Sequence, residues 1–161
     1  AHKFERCEFF GGHGCRRRPA GEPPPMKGID TNVLVRYLVK DDAQQYRAAA
    51  AFFDGARDAG AVRVDAVVLC ELVRVLRASY GYQRAELAEV VEKILSAEQL
   101  EVEGADTAWL ALEDFRASKA DFADCLIGRR NQSTGCKTTV TFDTRVKPLA
   151  SFELLAVGGR K

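Results

Sequence analysis

Carboxylates at four points along the chain have the types and positions of metal ligands: Asp30, Glu71, Asp124 and Asp143. Asp30 ends the short apolar run 26–29, and a helical apolar pattern follows it at 33–38. Asp143 ends a second strand-like run, 138–142, in the same way. Because ligands of open α/β sheets bind beyond the carboxyl ends of the strands, we expect both aspartates to face one crevice.

Glu71 interrupts the apolar stripe of a helix that is predicted to begin near Ala66. Its neighbours at helical spacing include Val67, Val68 and Val75, so the carboxylate must lie at the edge of the core. An unpaired buried carboxylate is costly, and it is expected to have a cationic partner. That partner is either Arg74 or a metal ion.

Asp124 lies on a short helix whose apolar stripe is formed by Phe122, Cys125 and Leu126. Asp121, three residues earlier, is predicted to share its face, so both carboxylates point the same way. For Asp121 a second explanation is as good, because a carboxylate at a helix N-terminus is stabilised by the helix dipole.

Collecting these carboxylates in one place requires a counter-ion. Two like charges about 4 Å apart repel by roughly 4 kcal/mol at an effective dielectric constant near 20. A hard divalent cation removes this repulsion, and ligation by carboxylates and water suits Mg²⁺ or Mn²⁺ better than zinc. The constellation therefore predicts a bound divalent metal.

The elements that would position these residues alternate along the chain. Strand patterns at 26–29, 62–65, 100–103, 138–142 and 152–155 are separated by helical patterns, including those at 44–59, 66–80 and 83–97. Such alternation is typical of a parallel sheet with right-handed crossovers. We expect an α/β fold with a central, mostly parallel sheet of about four to five strands and helices on both faces.

The first 25 residues differ from the rest, because they hold four of the five prolines and no Val, Leu or Ile. They could be a disordered arm, a basic nucleic-acid contact through Arg16–Arg18, or non-native sequence upstream of an initiator at Met26. We expect them to be a disordered or non-native extension. Cys7, His13 and Cys15 lack zinc-finger spacing, and the glycines at 11–14 lack the strand and helix of a phosphate loop.

The bulk properties describe one soluble domain. With 47% hydrophobic residues the chain can build a core, and no stretch approaches the roughly 20 apolar residues of a membrane span. The chain holds 24 basic and 23 acidic residues, of which 5 and 3 lie before Met26, which leaves 19 and 20 for the folded part. Any nucleic-acid contact must then use a local patch.

Cysteine use fits a reducing compartment, and we expect a cytoplasmic protein.

From Met26 to about Val157 the sequence resembles a PIN domain, and within that superfamily the toxin ribonucleases of bacterial VapBC-type toxin–antitoxin pairs. The resemblance is carried by four segments in order: Gly28–Leu34, Leu69–Leu72, Ala120–Ile127, and Val140–Asp143 ahead of Phe152–Leu155. Each segment alone is weak, since Asp-Thr-Asn before a helix is also a cap. The chain departs from the pattern in its first 25 residues and at Gly128-Arg129-Arg130.

The resemblance implies a Mg²⁺- or Mn²⁺-dependent endoribonuclease, the toxin of a type II toxin–antitoxin system, with residues 26–157 as the nuclease domain. The acidic quartet maps onto Asp30, Glu71, Asp124 and Asp143, with Asp121, Thr31, Asn32 and Thr141 as accessory groups. Its implied partners are RNA, a cognate antitoxin that blocks the acidic pocket, and a second copy of the chain in a homodimer.

The metal predicts the chemistry. Water activated by the metal ion would attack the RNA phosphate in line with the leaving oxygen. This hydrolysis leaves 5′-phosphate and 3′-hydroxyl ends and does not need the RNA 2′-hydroxyl. No histidine is needed, and residues 26–161 contain none. Arg129, Arg130 and Arg145 are candidate phosphate contacts, although a solvated surface arginine is the favoured interpretation of each.

Two other functions are weighed against this one. A phosphotransferase of the haloacid dehalogenase type also places an aspartate after its first strand, but it needs a second one two residues later, where this chain has Asn32. A non-catalytic PIN fold that binds RNA or a protein would be expected to have lost one or more of the acids. For Asp30 and Asp143 the simple alternative is a capping or turn role, and for Glu71 an ion pair with Arg74.

Overall fold

The computed structural model describes residues 26–59 and 61–156, without the side chains of 57–59. Residues 1–25, which were predicted to be an extension, lie outside this range. So does Val157, the last residue of the predicted domain. The strands are β1 (Lys27–Ile29), β2 (Val62–Val64), β3 (Leu100–Val102), β4 (Thr139–Thr141) and β5 (Phe152–Leu154). The helices are α1 (Thr31–Val39), α2 (Ala43–Ala59), α3 (Ala66–Tyr80), α4 (Arg84–Leu95), α5 (Ala105–Ala117) and α6 (Phe122–Ser133), with a 3₁₀ turn at Thr144–Val146.

All strand pairing in the described residues is parallel, as predicted, but the strands form two sheets. β1, β2 and β3 pair in that order, with Ile29 opposite Val64 and Val64 opposite Val102. β4 and β5 form a separate pair, in which Thr141 lies opposite Leu154. The α/β class and the strand count are confirmed. The division into two sheets was not predicted, because strands of three residues carry too little pattern to specify their neighbours.

The core lies between the three-stranded sheet and the helices. Val64 is fully buried, and each helix from α3 to α6 contributes buried apolar side chains, such as Leu72, Ile94, Leu112 and Phe122. Cys125 is buried there and Cys70 is partly buried. Burial raises the pKa of the Cys70 thiol to about 11 and that of Cys125 to about 12, so neither is a thiolate nucleophile at neutral pH. No helix in the described part of the chain is long and apolar enough to cross a membrane.

Capping residues fix the helix that carries Glu71. Asp65 accepts a hydrogen bond from the backbone N–H of Val67 at its start, and Gly81 ends it with a φ of 70°. Glu103, just after β3, adds a second cap, because its carboxylate accepts from the backbone N–H of Ala66 at 3.1 Å. The start of α3 is therefore tied to the carboxyl ends of β2 and β3.

Gly128 allows α6 to lie close to the segment that leads into β5. A Cβ atom at this position would lie 2.6 Å from the ring of Phe152 and 2.8 Å from Ser151 Oγ. We expect Gly128→Ala to lower the free energy of unfolding by about 1–3 kcal/mol, because a methyl group must force these neighbours aside. Chemical denaturation measures this value.

Gly55 is the matched control, because it lies inside α2 and a Cβ there would meet nothing within 4 Å. Gly55→Ala is expected to raise the free energy of unfolding by about 0.5–1 kcal/mol through helix propensity. Equal effects of the two substitutions would contradict the close packing of α6 at Gly128.

Candidate active site

Two of the predicted acidic residues meet where β1 leads into α1. Asp30 is the N-cap of α1, and its Oδ1 accepts from the backbone N–H of Val33 at 3.1 Å. The next residue, Thr31, is 7% exposed and donates its hydroxyl to Glu71 Oε2 at 2.7 Å. Thr31 and Glu71 are 40 residues apart in sequence, and their hydrogen bond ties Glu71 to the residue that follows Asp30.

Glu71 has the cationic neighbour that its position required. Its Oε1 lies 3.5 Å from Arg74 Nη2, and its side chain is 46% exposed. Arg74 is more exposed, at 75%, so this pair contributes little to stability and leaves Glu71 open to solvent. Both partners considered for Glu71, the arginine and a metal ion, are compatible with this geometry.

The other three acids surround Arg145. Asp121 precedes α6, Asp124 lies in the first turn of α6, and Asp143 caps the 3₁₀ turn after β4. Arg145 Nη1 donates to Asp121 Oδ2 at 2.9 Å, and Nη2 donates to Asp143 Oδ2 at 2.6 Å. Arg145 Nη2 also lies 3.8 Å from Asp124 Oδ2. One guanidinium thus brings together three carboxylates from two segments of the chain.

These carboxylates differ in how well their charge is compensated. Hydrogen bonds from Arg145 lower the pKa of Asp143 below its ordinary value. The pKa of Asp124 is raised, first by desolvation and then by the charges of Asp121 and Asp143, and Arg145 offsets this only in part. The ionised form of Asp124 is therefore disfavoured in the protein alone.

Helix α3 connects the two acidic groups. Glu71, Arg74 and Arg77 follow one another at intervals of three residues, and Arg77 Nη1 donates to Asp121 Oδ1. In the part of the chain that the structure describes, no three His, Cys, Asp or Glu side chains are already close enough to hold a metal ion. The site as it stands has two parts: Glu71 beside the start of α1, and an acidic ring formed by Asp121, Asp124 and Asp143 around Arg145.

The accessory residues Thr141 and Asn32 lie next to different acids of the site. Thr141 Oγ1 accepts from the backbone N–H of Asp143 at 3.0 Å, which fixes the turn that presents this carboxylate. Asn32 is exposed and, with Asp30, lines the edge of an open cavity of about 760 Å³ between β1, α1 and α2. The apolar wall of that cavity includes Val33 and Phe52.

The arginines predicted to contact phosphate have different surroundings. Arg145 lies in the acidic ring. Arg129 makes a two-pronged ion pair with Asp114 of α5, with both N–O distances at 2.6 Å. Arg130 Nη2 lies 3.2 Å from Glu103 Oε1. Arg129 and Arg145 would both have to give up hydrogen bonds to carboxylates in order to bind RNA, but Arg145 is the one whose partners are predicted site acids.

Comparison with known proteins shows the family of the chain. The family model described as PIN domain matches residues 28–151, which is most of the chain and includes all five acids. The chain belongs to the PIN-domain family. A VapC ribonuclease of Aquifex aeolicus (strain VF5) is 31% identical over 125 residues, covering 77% of this chain and 92% of that protein. This PIN domain is therefore of the VapC type, as the sequence motifs predicted.

Sequence reasoning missed Arg77 and the central position of Arg145. Arg77 lies three residues after Arg74, as Arg74 lies three residues after Glu71, and side chains at this helical spacing are neighbours, so the spacing was a usable signal. No comparable signal links Arg145 with Asp121, because their contact depends on how the turn after β4 packs beside α6.

Proposed function

We propose that this PIN domain is a metal-dependent endoribonuclease and the toxin of a type II toxin–antitoxin system. The observation that carries the proposal is the position of Asp30 and Asp143 at the ends of β1 and β4, with Asp124 in the first turn of α6 and Glu71 held by Thr31. The similarity to a protein named VapC ribonuclease supports the same activity and its substrate, RNA.

The residues present fit a divalent cation. Every side chain in the acidic ring offers carboxylate oxygen, which is the donor type that Mg²⁺ and Mn²⁺ prefer. The desolvated Asp124 gains most from a nearby positive charge, since its ionised form is disfavoured in the protein alone. We infer that the four acids of the quartet hold Mg²⁺ or Mn²⁺, with Asp121 as an accessory group. When bound, the cation would lower the pKa of a coordinated water and stabilise charge on the phosphoryl oxygens.

The chain's own residues prepare the site for this chemistry. Thr31 fixes one oxygen of Glu71, and the backbone at Val33 and Arg145 fixes one oxygen each of Asp30 and Asp143. The second oxygen of Glu71 lies 3.5 Å from Arg74, and that of Asp143 accepts from the side chain of Arg145. Capping and ligand roles are compatible, because a carboxylate has more lone pairs than one backbone N–H uses.

Arg145 is the proposed phosphate contact, and Arg130 is a more remote one. A guanidinium binds phosphate through two parallel hydrogen bonds, as it binds carboxylate. The site contains no histidine within the described residues, so attack by water is proposed in place of attack by the RNA 2′-hydroxyl.

The proposed partners are a cognate antitoxin and a second copy of the chain. Phe142 is 68% exposed and Val140 57% exposed, both on the β4 side of the acidic ring. Exposed apolar side chains of this size next to an active site suit a protein partner. The alternative proposal is a non-catalytic module that binds RNA or protein, but the full set of acids favours the enzyme.

The hydroxyl of Thr31 provides a test of how Glu71 is positioned. Thr31→Val keeps the shape of this buried side chain but removes the donor to Glu71 Oε2. We expect kcat/KM for RNA cleavage to fall about 10–100-fold, as for other groups that orient metal ligands. Thr31→Ser keeps the donor and should keep most of the activity. Full activity in Thr31→Val would contradict the orienting role.

The proposed activity is tested by incubating the purified full chain, free of antitoxin, with total RNA in Mg²⁺. Discrete fragments that accumulate with time would support an endoribonuclease. If a folded protein left every RNA intact in both Mg²⁺ and Mn²⁺, the binding-module alternative would be preferred.

A further inference from the structure

Arg145 contacts the acidic ring more extensively than any other cation in the described part of the chain. Its Nε and Nη2 both donate to Asp143 Oδ2, at 2.9 and 2.6 Å. Its Nη1 donates to Asp121 Oδ2 at 2.9 Å, and Nη2 lies 3.8 Å from Asp124 Oδ2. A single side chain therefore partly neutralises three carboxylates.

The backbone fixes Arg145 next to one of these acids. Asp143 Oδ1 accepts from the backbone N–H of Arg145 at 2.9 Å, and the following residue, Val146, is only 1% exposed. The side chain of Arg145 is nevertheless 50% exposed. The guanidinium can consequently leave the ring towards solvent without any change in the core.

A guanidinium and a divalent cation compete for the same oxygen atoms. Asp143 Oδ2 already accepts two hydrogen bonds from Arg145, which directs its lone pairs at the guanidinium. A metal ion bound by Asp124 and Asp143 would also be repelled by the positive charge of Arg145 at short range. Occupation of the ring by Arg145 and by a metal ion is thus mutually unfavourable.

The other arginines near the site do not compete with a metal ion for Asp124 and Asp143. Among the ion pairs of the described residues, Arg77 pairs with Asp121 and Arg74 pairs with Glu71 across 3.5 Å. Neither lies between Asp124 and Asp143. The competition is therefore specific to Arg145.

We propose that Arg145 is an internal counter-ion that holds the acidic ring together in the metal-free protein and that the divalent cation must displace. It is a positioning residue that sets the metal affinity of the site. The inference rests on the proposed function, because it takes Asp124 and Asp143 as metal ligands. Displacement would also free the guanidinium for a substrate phosphate.

Calorimetric titration of Mn²⁺ into the full chain tests this inference without any RNA. Arg145→Ala is expected to bind Mn²⁺ on the order of tenfold more tightly than wild type, because a unit charge no longer opposes the ion. Arg116→Ala is the matched control, since Arg116 pairs with Glu92 on the surface away from the ring. It should leave the affinity unchanged. Unchanged or weaker binding in Arg145→Ala would overturn the proposal.

Thermal unfolding gives a second readout from the same proteins. In EDTA the Arg145→Ala protein should unfold at a lower temperature than wild type, because the carboxylates repel one another. Saturating Mn²⁺ should raise its Tm by more than it raises that of wild type. An equal rise in the Tm of both proteins would contradict the counter-ion role of Arg145.

The Mn²⁺ affinity of Arg145→Lys is measured beside that of Arg145→Ala, in case the alanine variant fails to fold. Lysine keeps the charge but loses the fork that spans the three acids, so its Mn²⁺ affinity should lie between those of wild type and the alanine variant. An affinity for Arg145→Lys no tighter than that of wild type would overturn the proposal.

The metal-dependent function and the counter-ion role of Arg145 would fail in different ways. If folded wild type bound no Mn²⁺, the metal-dependent function would fail, and the role of Arg145 with it. If wild type bound Mn²⁺, Asp124→Asn abolished binding and Arg145→Ala left it unchanged, only the role of Arg145 would fail.

Discussion

Replacing Asp124 with asparagine is expected to lower kcat/KM for RNA cleavage at least about 100-fold, because even groups that merely orient metal ligands are worth 10–100-fold. Asparagine keeps the size of the side chain and removes the charge that a metal ion needs. Single-turnover cleavage of a labelled RNA by purified proteins measures the loss.

The fold should survive this substitution. The raised pKa of Asp124 means that its ionised form is disfavoured in the folded protein, so its charge costs stability at neutral pH in the absence of metal. Asp124→Asn removes that cost, and its Tm in EDTA should equal or exceed that of wild type. A loss of activity then reflects the site and not unfolding.

Asp106 provides the matched control for Asp124. It lies in the first turn of α5 as Asp124 lies in the first turn of α6, and it is exposed and outside the acidic ring. Asp106→Asn removes the same charge from an equivalent helix position and should keep wild-type activity. Equal activity of the Asp124 and Asp106 variants would exclude Asp124 from the catalytic site.

Removing divalent cations is expected to abolish cleavage entirely. The acidic ring has no histidine or lysine among the described contacts that could replace a metal ion in activating water. Activity should return when Mg²⁺ or Mn²⁺ is added back to the EDTA-treated protein, since both ions accept all-oxygen ligation. Cleavage of a labelled RNA across a titration of each ion gives the result.

The control for this experiment is the Asp124→Asn protein under the same titration. It should need far more metal than wild type or remain inactive at every concentration. Cleavage that persisted in EDTA, or that returned equally in both proteins, would point to a contaminating nuclease or to a different mechanism.

Most of the fold could be predicted from the sequence because its signals are local. The caps at Asp30 and Gly81 and the helical spacing around Glu71 define where elements begin and end. The helices predicted at 44–59 and 83–97 differ from α2 and α4 by one or two residues at their ends, which is the usual effect of fraying and capping. The pairing of β4 with β5 alone was not predictable, because pairing depends on contacts distant in sequence.

The acids of the site could be proposed from sequence, but the contacts that organise them could not. Thr31 reaches Glu71 across 40 residues, and Arg145 reaches Asp121 across 24. Likewise nothing local distinguishes Arg145 in the acidic ring from Arg129, which pairs with Asp114. Side-chain partners are decided by packing between elements, so their identity requires the structure.

The chemistry of the fragment ends distinguishes metal-dependent hydrolysis from attack by the RNA 2′-hydroxyl. A defined RNA is cleaved by the full chain in Mg²⁺, and both new ends at each cut are identified by their reactivity with a 5′-phosphate-dependent exonuclease and with a 3′-hydroxyl-dependent ligase. Hydrolysis by metal-activated water predicts 5′-phosphate and 3′-hydroxyl ends at every cut. Fragments with 5′-hydroxyl and 2′,3′-cyclic phosphate ends would show attack by the RNA 2′-hydroxyl and would contradict the acidic-ring mechanism.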